Sequence, residues 1–394
     1  MYRGDLMKDS ANTDQQNIIN VVDDFDSEVS ASSYNSEFKK WRKNKDNPFA
    51  FNFEINKKER VFSDSRGFEN RSKTETEKKV LGNIMRIIGI AMLISVVLQT
   101  VIGKLIIYLL ELLGFDIHTT FFYSAVYGGG TEIVVVMLSI SFAALFIPVV
   151  YLHKKLKMTL KSGIMRTVSD SAEIIVSIGM ALIVCTISCL PTAYSSETKD
   201  IYNYFQSIET DISVWGQTEF VIYTIFDVII LSVITEFLLR GAVFSALRQF
   251  GDVLAIVITT IMSGLLSRDF LEAPSAILIS LVASIGMLRS GTIFSAFIVH
   301  IVYKMYQLAL IIIEANSDSA AFLHRNLFMI IVFIAGIAMT AIVTSTGKRK
   351  NKHYLVKYHS ELTFRKQLFY AVGTFPFSAV ALLCVLEAII KIGS

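Results

Sequence analysis

Glu236, Arg240, His300 and Lys304 are the residues of this chain whose types and positions point to chemistry, because all four lie inside long apolar runs. A titratable side chain in hydrocarbon is expensive, so such residues face a bundle interior or a cavity. Glu236 and Arg240 stand four apart in Ile234-Thr235-Glu236-Phe237-Leu238-Leu239-Arg240-Gly241, one above the other on a helix face. A carboxylate beside a histidine can move a proton, and an arginine or lysine can steady developing negative charge. The plainer reading is a helix ion pair that fixes packing, with Lys304 likewise paired for structural reasons. Glu236 lies eleven residues before Leu247. That places it about 16 Å from the span's end, near the middle of a ~30 Å hydrocarbon core. His300 and Lys304 sit at similar depth in a second span, with Gln307 continuing their face. Complementary charges on two spans at one depth favour a shared polar cavity, with Lys304 near Glu236. Asp227, nine residues before Glu236, falls half a turn out of phase on a regular helix and receives no catalytic role.

The elements that must position these residues are membrane helices. The chain has 394 residues, 53% of them hydrophobic, and a mean hydropathy of +0.53. Apolar runs near the ~20 residues that span a bilayer recur along it. The fold class is therefore all-α, a polytopic transmembrane helix bundle of about eight or nine spans. Nine spans are expected near 84–110, 131–151, 171–191, 219–247, 252–267, 273–288, 291–313, 324–346 and 368–391. The first carries Lys104 and is expected to end near Gly103 and continue as an interfacial helix. The fifth and sixth are short enough to be re-entrant or buried. Residues 1–79 form a polar, mostly flexible region, and 80–394 the membrane domain. The first 38 residues carry eight acids against two bases, whereas residues 39–79 carry thirteen bases against seven acids. The basic half adjoins the bilayer, where anionic lipid attracts it. Phe49, Phe51, Phe53 and Phe62 leave room there for a short docking segment.

Loop charge sets the expected orientation. Loops 152–170 and 347–367 are rich in Lys and Arg, and 192–218 is not. The basic loops and the N-terminus are therefore expected in the cytoplasm, in the plasma membrane. The first long apolar run begins near Val80, so no signal peptide is expected. A net charge of +3 is too small to point to nucleic acid. Cys185, Cys189 and Cys384 lie in expected spans and read as packing residues. With His300 the only histidine near a span's centre, no metal site and no cofactor are expected. The GxSxG, HExxH and Gly-Lys-Ser/Thr patterns are missing, which removes three enzyme classes.

The region from about 219 to 313 resembles the CAAX prenyl endopeptidase and bacteriocin-processing family, also called the Abi or CPBP family. The family's signature is Glu-Glu-x-x-x-Arg on one helix, Phe-x-x-x-His on the next and His-x-x-x-Asn further on. Thr235-Glu236 through Arg240 takes the first position. Ser263-Gly264-Leu265-Leu266-Ser267 takes the second, and His300-Ile301-Val302-Tyr303-Lys304 the third. The resemblance implies a CAAX-protease-like core with Glu236, Arg240 and His300 as retained site residues. It also implies that Thr235, Ser267 and Lys304 replace the first Glu, the second-motif His and the Asn. In the family the first Glu and second-motif His activate water, and the third motif steadies an oxyanion. Neither hydroxyl can serve as a general base near pH 7. The expectation is a degenerate, peptidase-like membrane protein that binds or regulates a membrane peptide or protein partner, with the lipid bilayer as its environment. Relatives are associated with bacteriocin immunity and surface-protein processing. The rival readings are an active intramembrane endopeptidase using Glu236 and His300, and a small-solute or ion pathway.

Overall fold

Main-chain amides in hydrocarbon must bond within their own segment, so long apolar runs become helices. The computed structural model describes residues 33–44, 47–51, 60–63, 67–70, 73–119, 126–128, 130–166, 170–189, 216–270, 272–316, 321–346 and 360–393. The expectation of a flexible N-terminal region falls largely outside them. The long helices are α2 (Lys73–Val97), α3 (Gly103–Leu112), α4 (Gly130–Lys155), α6 (Ser171–Cys189), α11 (Glu272–Ser290), α12 (Phe294–Asn316), α13 (Ala321–Ser345) and α15 (Phe375–Gly393). Shorter helices are α1 (Ser33–Lys43), α5 (Leu160–Gly163), α7 (Gln217–Tyr223), α8 (Ser232–Glu236), α9 (Ser245–Leu247), α10 (Asp252–Ser267) and α14 (Phe364–Val372). Two short antiparallel hairpins, Arg60–Ser63 with Gly67–Asn70 and Ile117–Thr119 with Val126–Gly128, accompany the bundle.

Among the described residues, seven helices are long and apolar enough to cross a membrane, and an eighth if the bent pair α14–α15 counts as one span. The expected fifth span, α10, is a shorter helix of 16 residues. The first helix continues past Gly103. It runs unbroken over Thr74–Leu112, with α2 and α3 joined through wide turns at Leu98–Ile102. Hydroxyls inside the helices bond back one turn to their own carbonyls, as at Thr100, Ser139, Thr186 and Thr340. That satisfies a polar side chain without a partner helix. Large apolar side chains such as Ile330 and Ile334 remain exposed on α13, as a lipid-facing surface requires.

Helix α6 sits at the centre, packed against α11, α12 and α13, while α2 packs on α4 and α15. Helices α6 and α13 run antiparallel at close range, with Gly179 against Gly336 and Thr340. The start of α6 and the end of α13 therefore share one end of the bundle. The α11–α12 turn joins them there: Ile293 N donates to the Met165 carbonyl at 3.0 Å and Asp170 N to that of Ser290 at 3.1 Å. Both basic loops thus adjoin the same end. An N-terminal segment caps it. Trp41 Nε1 donates to the Leu156 carbonyl at 2.8 Å, and Phe51 N to Gln249 Oε1 at 2.7 Å. The Phe51 ring stacks on Phe250 at 5.8 Å. This is the docking segment that the aromatics of the basic stretch anticipated.

Helix contact at Gly179 depends on the missing side chain. A Cβ there would stand 2.5 Å from Thr340 Oγ1 and 2.9 Å from the Gly336 carbonyl. Gly179→Val should lower stability by about 1–3 kcal/mol, as overpacking does, read as an earlier melt in detergent. Gly82 in α2 has nothing within 4 Å of its added Cβ. Gly82→Ala should be neutral or stabilising, because alanine is the better helix former.

Candidate functional site

The helix from Gln217 to Phe250 carries the Glu236 motif, and it is not a regular α-helix. Residues Thr224–Leu231 and Phe237–Phe244 wind in wide π turns, separated by α8. Such turns are rare and gather at functional sites. They turn each residue through a smaller angle than α turns, so the phase of side chains along the helix shifts.

Glu236 Oε1 accepts from Arg240 Nη1 at 3.0 Å and faces His300 Nδ1 at 2.8 Å. A carboxylate beside a guanidinium only accepts, so Nδ1 is the donor in that contact. The Arg240 Nη2 reaches α11, where it donates to the Ser280 carbonyl, to Ser280 Oγ at 2.7 Å and to Ser284 Oγ at 3.4 Å. The side chains of Arg240 and Glu236 are 0% and 1% exposed, and that of His300 is 13% exposed. One ion pair therefore joins α8, α11 and α12 in the dry interior. Two of its atoms, Glu236 Oε2 and Arg240 Nε, have no hydrogen-bond partner, and nor do Ser232 Oγ and Ser295 Oγ. Glu236 Oε2 lies 3.0 Å from Arg240 Nη1, close enough for charge attraction.

The three substituted positions do not join this cluster through hydrogen bonds. Thr235 Oγ1 donates to the Leu231 carbonyl at 2.8 Å, one turn back on its own helix. Ser267 Oγ donates to the carbonyls of Gly264 at 2.7 Å and Asp269 at 3.3 Å, closing the end of α10. Lys304 Nζ pairs with Asp227 Oδ2 at 3.4 Å, and not with Glu236. The direct Glu236–Lys304 pair expected from the sequence is thus corrected. Asp227, half a turn out of phase with Glu236, does belong to another contact, and it is the acid that Lys304 meets.

Around Lys304 lies a second polar group. The Tyr223 hydroxyl bonds Asp227, and Glu272 lies within electrostatic reach of both Tyr223 and Lys304. The Tyr303 hydroxyl contacts Ser275 Oγ at 2.9 Å and receives Gln307 Nε2 at 2.8 Å. Sequence reasoning missed Ser275, Ser280 and Ser284. The last two are four apart on α11, a polar pair on an otherwise apolar helix, and that spacing was the available signal. Among the described residues no three His, Cys, Asp or Glu side chains converge as a metal site would need. If the Glu236–Arg240 pair is the structural knot its burial suggests, Glu236→Ala leaves Arg240 uncompensated and should cost about 3–5 kcal/mol. Changing Glu236 to Leu and Arg240 to Met together should cost much less. Thermal melting of the single and double variants checks this, and mild, additive single effects would rule the knot out.

Residues 217–306 match the family model described as Type II CAAX prenyl endopeptidase Rce1-like. Comparisons with curated proteins and with solved structures gave no match. The matched stretch covers under a quarter of the chain, and it holds Asp227, Glu236, Arg240, His300 and Lys304 together. Through residues 217–306 the chain is thus similar to the type II CAAX prenyl endopeptidases that this family model describes.

Proposed function

We propose that this CAAX-protease-like membrane protein has lost peptide hydrolysis and binds a membrane peptide or lipid-modified chain at the Glu236–Arg240–His300 cluster. One observation carries the reading. All three positions where the water-activating and oxyanion residues would stand have side chains committed to scaffold contacts: Thr235 to Leu231, Ser267 to Gly264 and Asp269, Lys304 to Asp227. Losing a general base alone typically costs ~10²–10⁴ in rate. The buried Arg240 Nε, which has no hydrogen-bond partner, supports a binding role. An unsatisfied buried polar atom costs about 1–3 kcal/mol, which a peptide group or water would recover.

The 2.8 Å Glu236–His300 contact favours a second reading, an endopeptidase with Glu236 as base. Purified protein incubated with a prenylated CAAX peptide separates the two. We expect saturable binding without cleavage, and weaker binding by Glu236→Gln. Cleavage that disappears in Glu236→Gln would establish the enzyme reading instead.

We further propose that the end of the bundle capped by α1 and Phe51 faces the cytoplasm of a plasma-membrane protein, on the strength of the Lys and Arg in the loops adjoining it. Impermeant thiol labelling of intact cells tests this. Lys161→Cys should stay unlabelled until the cells are opened, and Thr218→Cys should label from outside. The reverse pattern would invert the topology.

A further inference from the structure

The last two helices meet at a bend of 72°. Helix α15 is apolar and 19 residues long, which at ~1.5 Å per residue is about 28 Å, close to the ~30 Å hydrocarbon core. Helix α14 has nine residues, among them Arg365, Lys366 and Gln367, and is too short and too charged to cross. With α15 near the bilayer normal, the bend lays α14 close to the membrane plane. Its depth is set by α2. The buried Glu77 carboxylate accepts from Ser360 Oγ, from Glu361 N at 3.2 Å and from Gln367 Nε2 at 3.0 Å. Lys78 Nζ stands 4.4 Å over the Tyr370 ring. Glu77 and Lys78 lie in the charged start of α2, just before its apolar run opens at Val80. Helix α14 is fastened where the chain passes from polar to apolar, the depth of the headgroup layer.

The outward face of α14 suits that layer. Gln367 and Ala371, four apart, form its buried face. Phe369 is two residues from each, about 200° round the helix, and is 73% exposed. Arg365 and Lys366, four and three residues before Phe369, flank it on the same side and are exposed. At the bend, Phe375 is 84% exposed. It stands seven, eleven and fourteen residues before Leu382, Leu386 and Ile389, an exposed stripe of α15, so one apolar surface runs from α15 onto the bend. An aromatic ring beside long basic side chains fits the boundary between acyl chains and phosphates. Along α14 and at its contacts with α2, the exposed bases Lys78, Arg365 and Lys366 outnumber the one exposed acid, Glu361. That balance favours acidic over zwitterionic lipid. We infer that α14 is an in-plane anchor that binds acidic phospholipid, with Phe369 at the acyl boundary and Arg365, Lys366 and Lys78 on the phosphates. The site lies apart from the Glu236–Arg240–His300 cluster and does not depend on what that cluster does.

Tryptophan quenching by brominated lipid tests this with the full chain in vesicles. Phe369→Trp places a reporter at the anchor, and the parent chain, with Trp41 and Trp215, sets the background. The added emission should be quenched more by lipids brominated near the headgroup than by lipids brominated near the chain end. Phe375→Trp is the second position and should be quenched as well. In mixed vesicles, brominated phosphatidylglycerol should half-quench Phe369→Trp at a roughly fivefold lower fraction than brominated phosphatidylcholine does. Arg365→Gln with Lys366→Gln should remove most of that preference, and high salt should weaken it. Glu236→Gln should leave it unchanged. Added emission at position 369 that no brominated lipid quenches, in a chain that melts as its parent does, would overturn the anchor, because water or a second protein surface then covers the face. Quenching without preference for phosphatidylglycerol would overturn the acidic-lipid site.

Discussion

A guanidinium with no exposed surface organises this protein. Arg240 cannot discard its charge, and the interior offers it no water. It must find a carboxylate and hydrogen-bond acceptors on neighbouring helices or unfold the bundle around it. Glu236 supplies the carboxylate from its own helix, and Ser280 and Ser284 supply acceptors from α11. His300 then reaches the same carboxylate from α12. Three helices are thereby held at fixed rotation, since apolar packing alone would tolerate several rotations about each helix axis. Residues 217–306, the stretch similar to the family model, contain the side chains that join all three of these helices.

The second constraint is helix winding. Asp227 lies in the π-wound stretch Thr224–Leu231 and pairs with Lys304, apart from the Glu236 cluster. The pairing also separates two polar groups along α12. His300 belongs to a dry cluster whose carboxylate and guanidinium are closed to solvent, whereas Lys304 belongs to a partly exposed one. Lys304 therefore does not pair with the carboxylate of the dry cluster. It is drawn off by a different acid and leaves Glu236 facing His300.

The periphery obeys the same chemistry with less charge. Hydroxyls in the long helices bond to their own backbone, so they ask nothing of lipid or of neighbours. Close helix contact is made where side chains are smallest, as at Gly179 and Gly336. At the capped end, the side chain of Gln249 answers the main chain of the docking segment twice, accepting from Phe51 N and donating to the Phe49 carbonyl at 2.9 Å. The segment itself is a turn, closed by Ala50 N on the Asn47 carbonyl at 3.1 Å.

Much of this was written locally in the chain. Run length and hydropathy determined an all-helical membrane bundle, because hydrocarbon admits little else. The spacing of Glu236 and Arg240 determined their pair, since residues four apart meet on one helix face. The depth of His300 and the family motifs placed it with them. Tertiary structure alone decided the partner of Lys304, because Glu236 and Asp227 both lie on the neighbouring helix and only its packing against α12 sets which acid is within reach. It alone decided that Thr235 and Ser267 spend their hydroxyls on nearby carbonyls, a choice open to any Ser or Thr until neighbouring helices fix its rotamer. It alone decided that Ser275 meets Tyr303, twenty-eight residues apart. Local sequence sets which groups need partners; only packing in three dimensions sets which partner is near enough to serve.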